Sequence, residues 1–192
     1  MSLESFAERL QWSLILALAW KELDILKDLR KNPKETIIQI AEGKDGKYGR
    51  VVDDRTEDAA KAIKKQAEAD PEDDYTGYLP IPQPRGLNKL NVEELEELLE
   101  NGITGILKCN KNADLWAKAL HKAWQDDLLI DIRRDPLNHL PFVDELLNTE
   151  YGIFPIPDPP ESLRELSFEN LEGLFSDEDN MSHLGGIFLF GS

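Results

Sequence analysis

One cysteine and three histidines in 192 residues leave little material for thiol or metal chemistry. Cys109 has no partner for an intramolecular disulfide, so a framework of bridges is excluded by arithmetic and a reducing compartment is expected. His121, His139 and His183 are too widely spread to form a local motif, and each reads as a structural or solvent-facing residue. The chain also lacks a phosphate-binding glycine loop, a nucleophile elbow and a metal-binding histidine pair. Basic charge is scarce: 22 Lys and Arg stand against 38 Asp and Glu, a formal net charge of −16. That field repels phosphate backbones and anionic lipid, which removes nucleic acid and membranes from the expected partners. Long apolar runs are missing as well. Trp12 to Trp20 is too short to span a bilayer, and Met1 to Leu10 carries acids where a secretory signal needs a basic and then an apolar stretch. A cytoplasmic location is the expectation.

What is present is enough for a core, with 41% hydrophobic residues, and it is written twice. QWSLILALAW (Gln11 to Trp20) matches LWAKALHKAW (Leu115 to Trp124), pairing Trp12 with Trp116 and Trp20 with Trp124. LRKNP (Leu29 to Pro33) matches IRRDP (Ile132 to Pro136), and GYLPIPQP (Gly77 to Pro84) matches GIFPIPDP (Gly152 to Pro159). NVEELEELL (Asn91 to Leu99) matches SFENLEGLF (Ser167 to Phe175), and GIL at Gly105 answers GIF at Gly186. Five blocks in one order indicate a duplication, with units at 1–110 and 111–192. The first unit carries an acidic and polar insertion at about 41–74, expected to be an exposed excursion with a helical segment from Thr56 to Ala69. Its tail, Asp70 to Tyr75, lacks the spaced ligands and closing glutamate of a calcium loop and reads as a solvated acidic turn.

Trp12, Leu16 and Trp20, and again Trp116, Leu120 and Trp124, recur at helical spacing and predict that each unit opens with an amphipathic helix. Asn32-Pro33 and Asp135-Pro136 should end those helices, because a residue before proline is pushed out of the α region. Asn91 with Glu94 caps a second helix, and Ser167 its counterpart. The two Pro-Ile-Pro segments suit an edge strand or an extended crossing. Ile103 to Cys109 and Gly186 to Phe190 read as short strands. The expected class is α+β, mostly helical, with two pseudo-symmetric helical units whose short strands form a small sheet.

The run LWAKALHKAWQDDLLIDIRRDP (Leu115 to Pro136) resembles the opening of nitrile hydratase leader peptide-type precursors, in which an alanine-tryptophan-aspartate segment leads a helix ending in Asp-Pro. The first unit keeps Ala19-Trp20 but has Lys21-Glu22 and Asn32 where the second has Gln125-Asp126 and Asp135. The resemblance implies a noncatalytic leader region recognised by tailoring enzymes of ribosomally made, post-translationally modified peptides. The cysteine-rich metal motif of nitrile hydratase is absent, so no metal, cofactor or hydratase activity is carried over.

Candidate partner-binding residues are Trp20, Trp124, Pro80, Ile81, Pro82, Pro155, Ile156 and Pro157. Tryptophan is enriched at interaction hot spots, although these tryptophans, beside Leu and Ala at helical spacing, equally suit core packing. Gly185-Gly186 resembles the processing site of exported bacterial peptides, while its match to Gly105 inside the first unit suits a structural glycine. Acidic pairs such as Glu93-Glu94 and Asp126-Asp127 read as solvated faces, since adjacent carboxylates on a helix do not converge on a cleft. The expected function is a leader-like recognition protein, not an enzyme, docking a peptide-modifying enzyme or transporter. The alternative is an acidic binding or inhibitory protein that covers a basic protein surface.

Overall fold

In the computed structural model, residues 3–69, 77–79, 91, 93–94 and 112–154 are described. The first unit contributes α1 (Leu3–Lys21), α2 (Leu23–Lys31), α3 (Pro33–Ala41), a 3-10 turn (Gly43–Asp45) and α4 (Asp54–Glu68). The second contributes α5 (Ala113–Gln125), α6 (Leu129–Arg134), α7 (Pro136–His139) and α8 (Val143–Leu147). The expected small sheet is corrected: the interpretable part of the chain is 71% helix with no strand. The runs assigned to that sheet, 103–109 and 186–190, lie outside the described residues. The mostly helical reading agrees with the structure.

The first helix differs from its expected amphipathic form. Leu14 to Trp20 are seven consecutive residues no more than 8% exposed, so the C-terminal half of α1 is enclosed on every side. A helix apolar all round belongs inside a core. α5 does keep one apolar face: Trp116, Ala117, Ala119, Leu120, Ala123 and Trp124 are buried while Asp114, Lys118 and Lys122 face solvent. Helical breaks then set the path. Glu22, extended at φ −117° and ψ 95°, separates α1 from α2. Asn32 and Asp135, at ψ 77° and 71°, end α2 and α6 as the following prolines require, but each proline then opens a new helix at its first turn. The missing proline N–H costs nothing there. Asn32 Oδ1 accepts from Glu35 N at 3.2 Å and caps α3.

The described part of the insertion, 41–69, is not an exposed excursion. It holds α4, whose Thr56, Ala59, Ala60, Ile63 and Ala67 form a buried stripe packed on α1 and α3. The alanines let the backbones approach closely, and the buried residues Tyr48 and Val52 join the same cluster from the preceding loop. The start of α4 is fixed by a capping box: Asp53 Oδ1 accepts from Thr56 N at 2.9 Å, and Thr56 Oγ1 accepts from Asp53 N at 3.0 Å. The helix itself falls where the helical segment Thr56 to Ala69 was expected; only its burial was missed, because its exposed face carries the charge, including the Lys61–Glu57 pair. The second unit, which lacks the insertion, continues instead into the five-residue α8, where Leu146 is buried. One hydrophobic cluster joins residues of both units, from Leu14 and Trp20 to Trp116, Ile132 and Phe154.

Ile63 is 1% exposed. Ile63→Ala is therefore expected to lower stability by about 2–5 kcal/mol, measured by chemical denaturation; a solvated insertion would give a change near zero.

Candidate functional site

The helix breaks before Pro33 and Pro136 have a consequence three residues upstream. Carbonyls in the last turn of a helix lose their intrahelical partners. Two such carbonyls, of Arg30 at the end of α2 and Arg133 at the end of α6, are taken up across the two units. Ile153 N and Phe154 N donate to Arg30 O at 2.8 and 3.1 Å, and Tyr78 N and Leu79 N donate to Arg133 O at 2.7 and 3.1 Å. Each unit thus gives the residues before its Pro-Ile-Pro segment to the other unit's helix end. Arg30 and Arg133 occupy the same place in the LRKNP and IRRDP blocks, and Gly77 and Gly152 the same place in GYLP and GIFP.

Both seats require glycine. A Cβ on Gly77 would stand 2.6 Å from Arg133 O, and one on Gly152 would stand 2.3 Å from Arg30 O. Gly152 adds a left-handed backbone, φ +63°, that side chains disfavour. The residues that follow are buried: Tyr78 at 2%, Leu79 and Ile153 at 0%, Phe154 at 7%. Arg30 and Arg133 are buried too, and the Arg30 guanidinium lies 4.6 Å over the Tyr151 ring. Further links tie the units together nearby. Arg134 donates to Ala69 O, Lys34 pairs with Asp135 at 3.5 Å, and the Trp12 and Phe154 rings are 5.6 Å apart.

A polar groove of about 420 Å³ lies on the first unit, lined by Asp28, Asn32, Glu35, Gln39, Lys47 and Tyr48 among others. Lys47 Nζ and the Tyr48 hydroxyl both donate to Asp28 Oδ2 at 2.6 Å. Lys47 N donates to Gln39 Oε1 at 3.2 Å, and Gln39 Nε2 to Glu35 Oε1 at 3.1 Å. Partial burial works to raise the Asp28 carboxyl, but the hydrogen bonds from Lys47 and Tyr48, with the Lys47 and Lys31 charges, outweigh it and hold it below its ordinary range. The hydrogen bond to Asp28 raises Lys47. Burial, then Asp28, pushes Tyr48 up to about 12. Every shift leads away from neutrality, opposite to the tuning that general acid–base work needs. The network clamps the 46–52 loop onto α2, helped by Arg50 with Asp24 at 2.7 Å and Glu22 at 3.1 Å.

Of the residues singled out for docking, Trp20 and Trp124 are 4% and 9% exposed and lie in the core, so neither ring is presented to a partner. Pro80, Ile81, Pro82, Pro155, Ile156, Pro157, Gly185 and Gly186 lie outside the described residues. His121 is half-buried on α5 and His139 is exposed. No group of three or more metal-ligating side chains converges among the described residues. No helix among them is long and apolar enough to cross a membrane. The seats of Arg30 and Arg133 were missed in sequence, where these blocks read only as helix ends and proline segments. Their signal was the arginine and the glycine kept in both copies. The chain matches no protein-family profile, no curated protein and no solved structure.

Two outcomes test this arrangement. Gly152→Ala should destabilise by roughly 2–4 kcal/mol, from the close approach and the left-handed backbone together, and more than Gly77→Ala in the same denaturation assay. Tyr48 and Tyr78 both rise from an ordinary 10.0 to about 12, Tyr78 through burial and then Glu68. The fold thus favours their neutral forms: that stabilisation is complete below pH 10.0 and lost as pH approaches about 12. Melting temperature should fall across this window, and less steeply in Tyr48→Phe.

Proposed function

We propose that this chain is a noncatalytic recognition protein, a leader-like scaffold that presents its Pro-Ile-Pro segments to a partner such as a peptide-modifying enzyme or transporter. The observation that carries this reading is the pair of equivalent seats. The two residues immediately before Pro80 and the two immediately before Pro155 are pinned in the same way, each pair by two amide hydrogen bonds to a buried arginine's carbonyl. Anchoring one end of a proline segment lowers the entropy lost when a partner binds it. Segments with fixed φ and few amide donors suit side-chain readout in an aromatic-lined groove. The burial of Trp20 and Trp124 leaves Pro80, Ile81, Pro82 and Pro155, Ile156, Pro157 as the docking residues of this reading. The likeness of Leu115 to Pro136 to leader-type precursors supports the same class of partner, with Gly185-Gly186 as the processing site if the chain is a precursor.

A second reading, an acidic protein that covers a basic protein surface, is favoured by the distribution of charge. Residues 3–69 hold 13 acidic and 13 basic side chains. Residues 70–111 hold nine acidic and four basic ones, and 155–192 hold eight and one. The negative field therefore belongs mainly to the stretches that contain the proline segments, away from the balanced first helices.

One pair of measurements separates these readings. With the native partner captured, Ile81→Asp together with Ile156→Asp should weaken binding at least about tenfold (about 1.4 kcal/mol) with the melting temperature unchanged, if the proline segments are read. If charge dominates, wild-type binding should instead collapse between about 0.1 and 0.5 M salt, where exposed charges are screened. Intact mass of the native protein decides the precursor form: a loss or shift confined to Ile187 to Ser192 supports it, and an unmodified full-length mass refutes it.

A further inference from the structure

The matched blocks LRKNP and IRRDP extend one residue upstream, where Asp28 and Asp131 stand in the same register. In the first unit the loop of the insertion closes over the face that Asp28 begins. Lys47 Nζ and the Tyr48 hydroxyl donate to its carboxylate at 2.6 Å, and Lys47 N donates to Gln39 at 3.2 Å. Glu35 and Thr36 line the same groove, and Thr36 is buried. The second unit has no insertion and so no such loop. Asp131, Asn138 and His139, in the registers of Asp28, Glu35 and Thr36, are all exposed. Asp135 is engaged by Lys34 at 3.5 Å and by Asn138 at 2.8 Å, whereas the Asp131 carboxylate has no hydrogen bond or ion pair among the described residues. Beyond Leu140 the units diverge. Pro141 follows the end of α7, and Phe142, in the register of Gln39, is 38% exposed.

We propose that this open face of the second unit, with Asp131, Asn138, His139 and Phe142, docks a basic-aromatic segment of a partner protein. The segment carries a lysine followed by a tyrosine and sits on Asp131 as Lys47 and Tyr48 sit on Asp28. The first unit supplies the chemistry of the occupant: one ammonium and one phenol hydroxyl converging on a single carboxylate, bonds that the charge strengthens. The field agrees with it. The exposed side chains of 125–150 include six carboxylates and no lysine or arginine, so a cation is drawn to this face and an acidic segment is repelled. Residues 155–192 of the same chain, with eight acidic side chains and one basic, have the wrong sign for an occupant. Phe142 offers an exposed ring on which the apolar part of the segment can pack. The site is separate from the proline segments and does not rest on the reading given to them.

The probe is a synthetic peptide with the sequence of residues 44–52, KDGKYGRVV, the segment that covers the face in the first unit. It is titrated into the isotope-labelled full chain and followed by amide chemical shifts. Saturable binding with a Kd of about 1 mM or tighter is expected, with the shifts centred on 131–142. Asp131→Asn, a change of the same shape at an exposed position, should weaken binding at least about tenfold, and so should Lys47→Glu in the peptide. Absence of saturation at about 5 mM peptide would overturn the proposal. So would shifts centred on Asp28 and Gln39, which mark displacement of the chain's own loop, or binding that Asp131→Asn leaves unchanged. Equal binding of a scrambled peptide of the same composition would also overturn it, as charge attraction alone.

Discussion

An interrupted helix is satisfied from far along the chain, and the arrangement of the molecule follows from that. Proline at 33 and at 136 stops α2 and α6 one residue earlier, and the Arg30 and Arg133 carbonyls turn to amides of the opposite unit. A buried carbonyl without a partner costs on the order of 1–3 kcal/mol. Each seat relieves that cost with two donors and buries two apolar side chains beside them. The relief is reciprocal: each helix end is completed by the other unit's glycine segment.

The rest of the body supports these two seats unequally. In the first unit a central helix, enclosed on all sides from Leu14 to Trp20, is covered by α4, and the loop before α4 is clamped by the Asp28–Lys47–Tyr48 network. The second unit lacks the insertion that carries α4, and its α5 has a single apolar face. This asymmetry suits one unit as a preformed support and the other as a body completed by contact with it. The tyrosine that fills the Arg133 seat, Tyr78, reaches Glu68 at the end of α4 with its hydroxyl at 3.5 Å, so the extra helix also steadies the seat.

Much of the local structure could be read directly. Helical spacing of the tryptophans, the Asn-Pro and Asp-Pro breaks and the Asn91–Glu94 capping pair all act within a few residues. The capping pair shows two reciprocal hydrogen bonds of 2.9 Å. The exposed excursion was misread because α4 buries mainly alanine, a residue that reveals little about burial until a neighbouring helix comes close. The small sheet was expected from 103–109 and 186–190, runs that lie outside the described residues, and no strand occurs among the described residues. The tryptophans gave the right spacing and two meanings, and only burial distinguished a core from a docking face.

Composition and pattern alone determined the helix-rich character, the repeated blocks, the acidity and its concentration away from residues 3–69. They marked the ends before Pro33 and Pro136, because proline acts on its immediate neighbours, but not the breaks after Lys21 and Gln125 that end the opening helices sooner. Tertiary structure alone decided that α4 belongs to the core and that Trp20 and Trp124 are enclosed. It also decided that each unit's glycine segment closes the other's helix. Those contacts are made by backbone amides and carbonyls, which every residue carries alike, between segments far apart in the chain. The sequence marks such a contact only through the glycine that leaves it room.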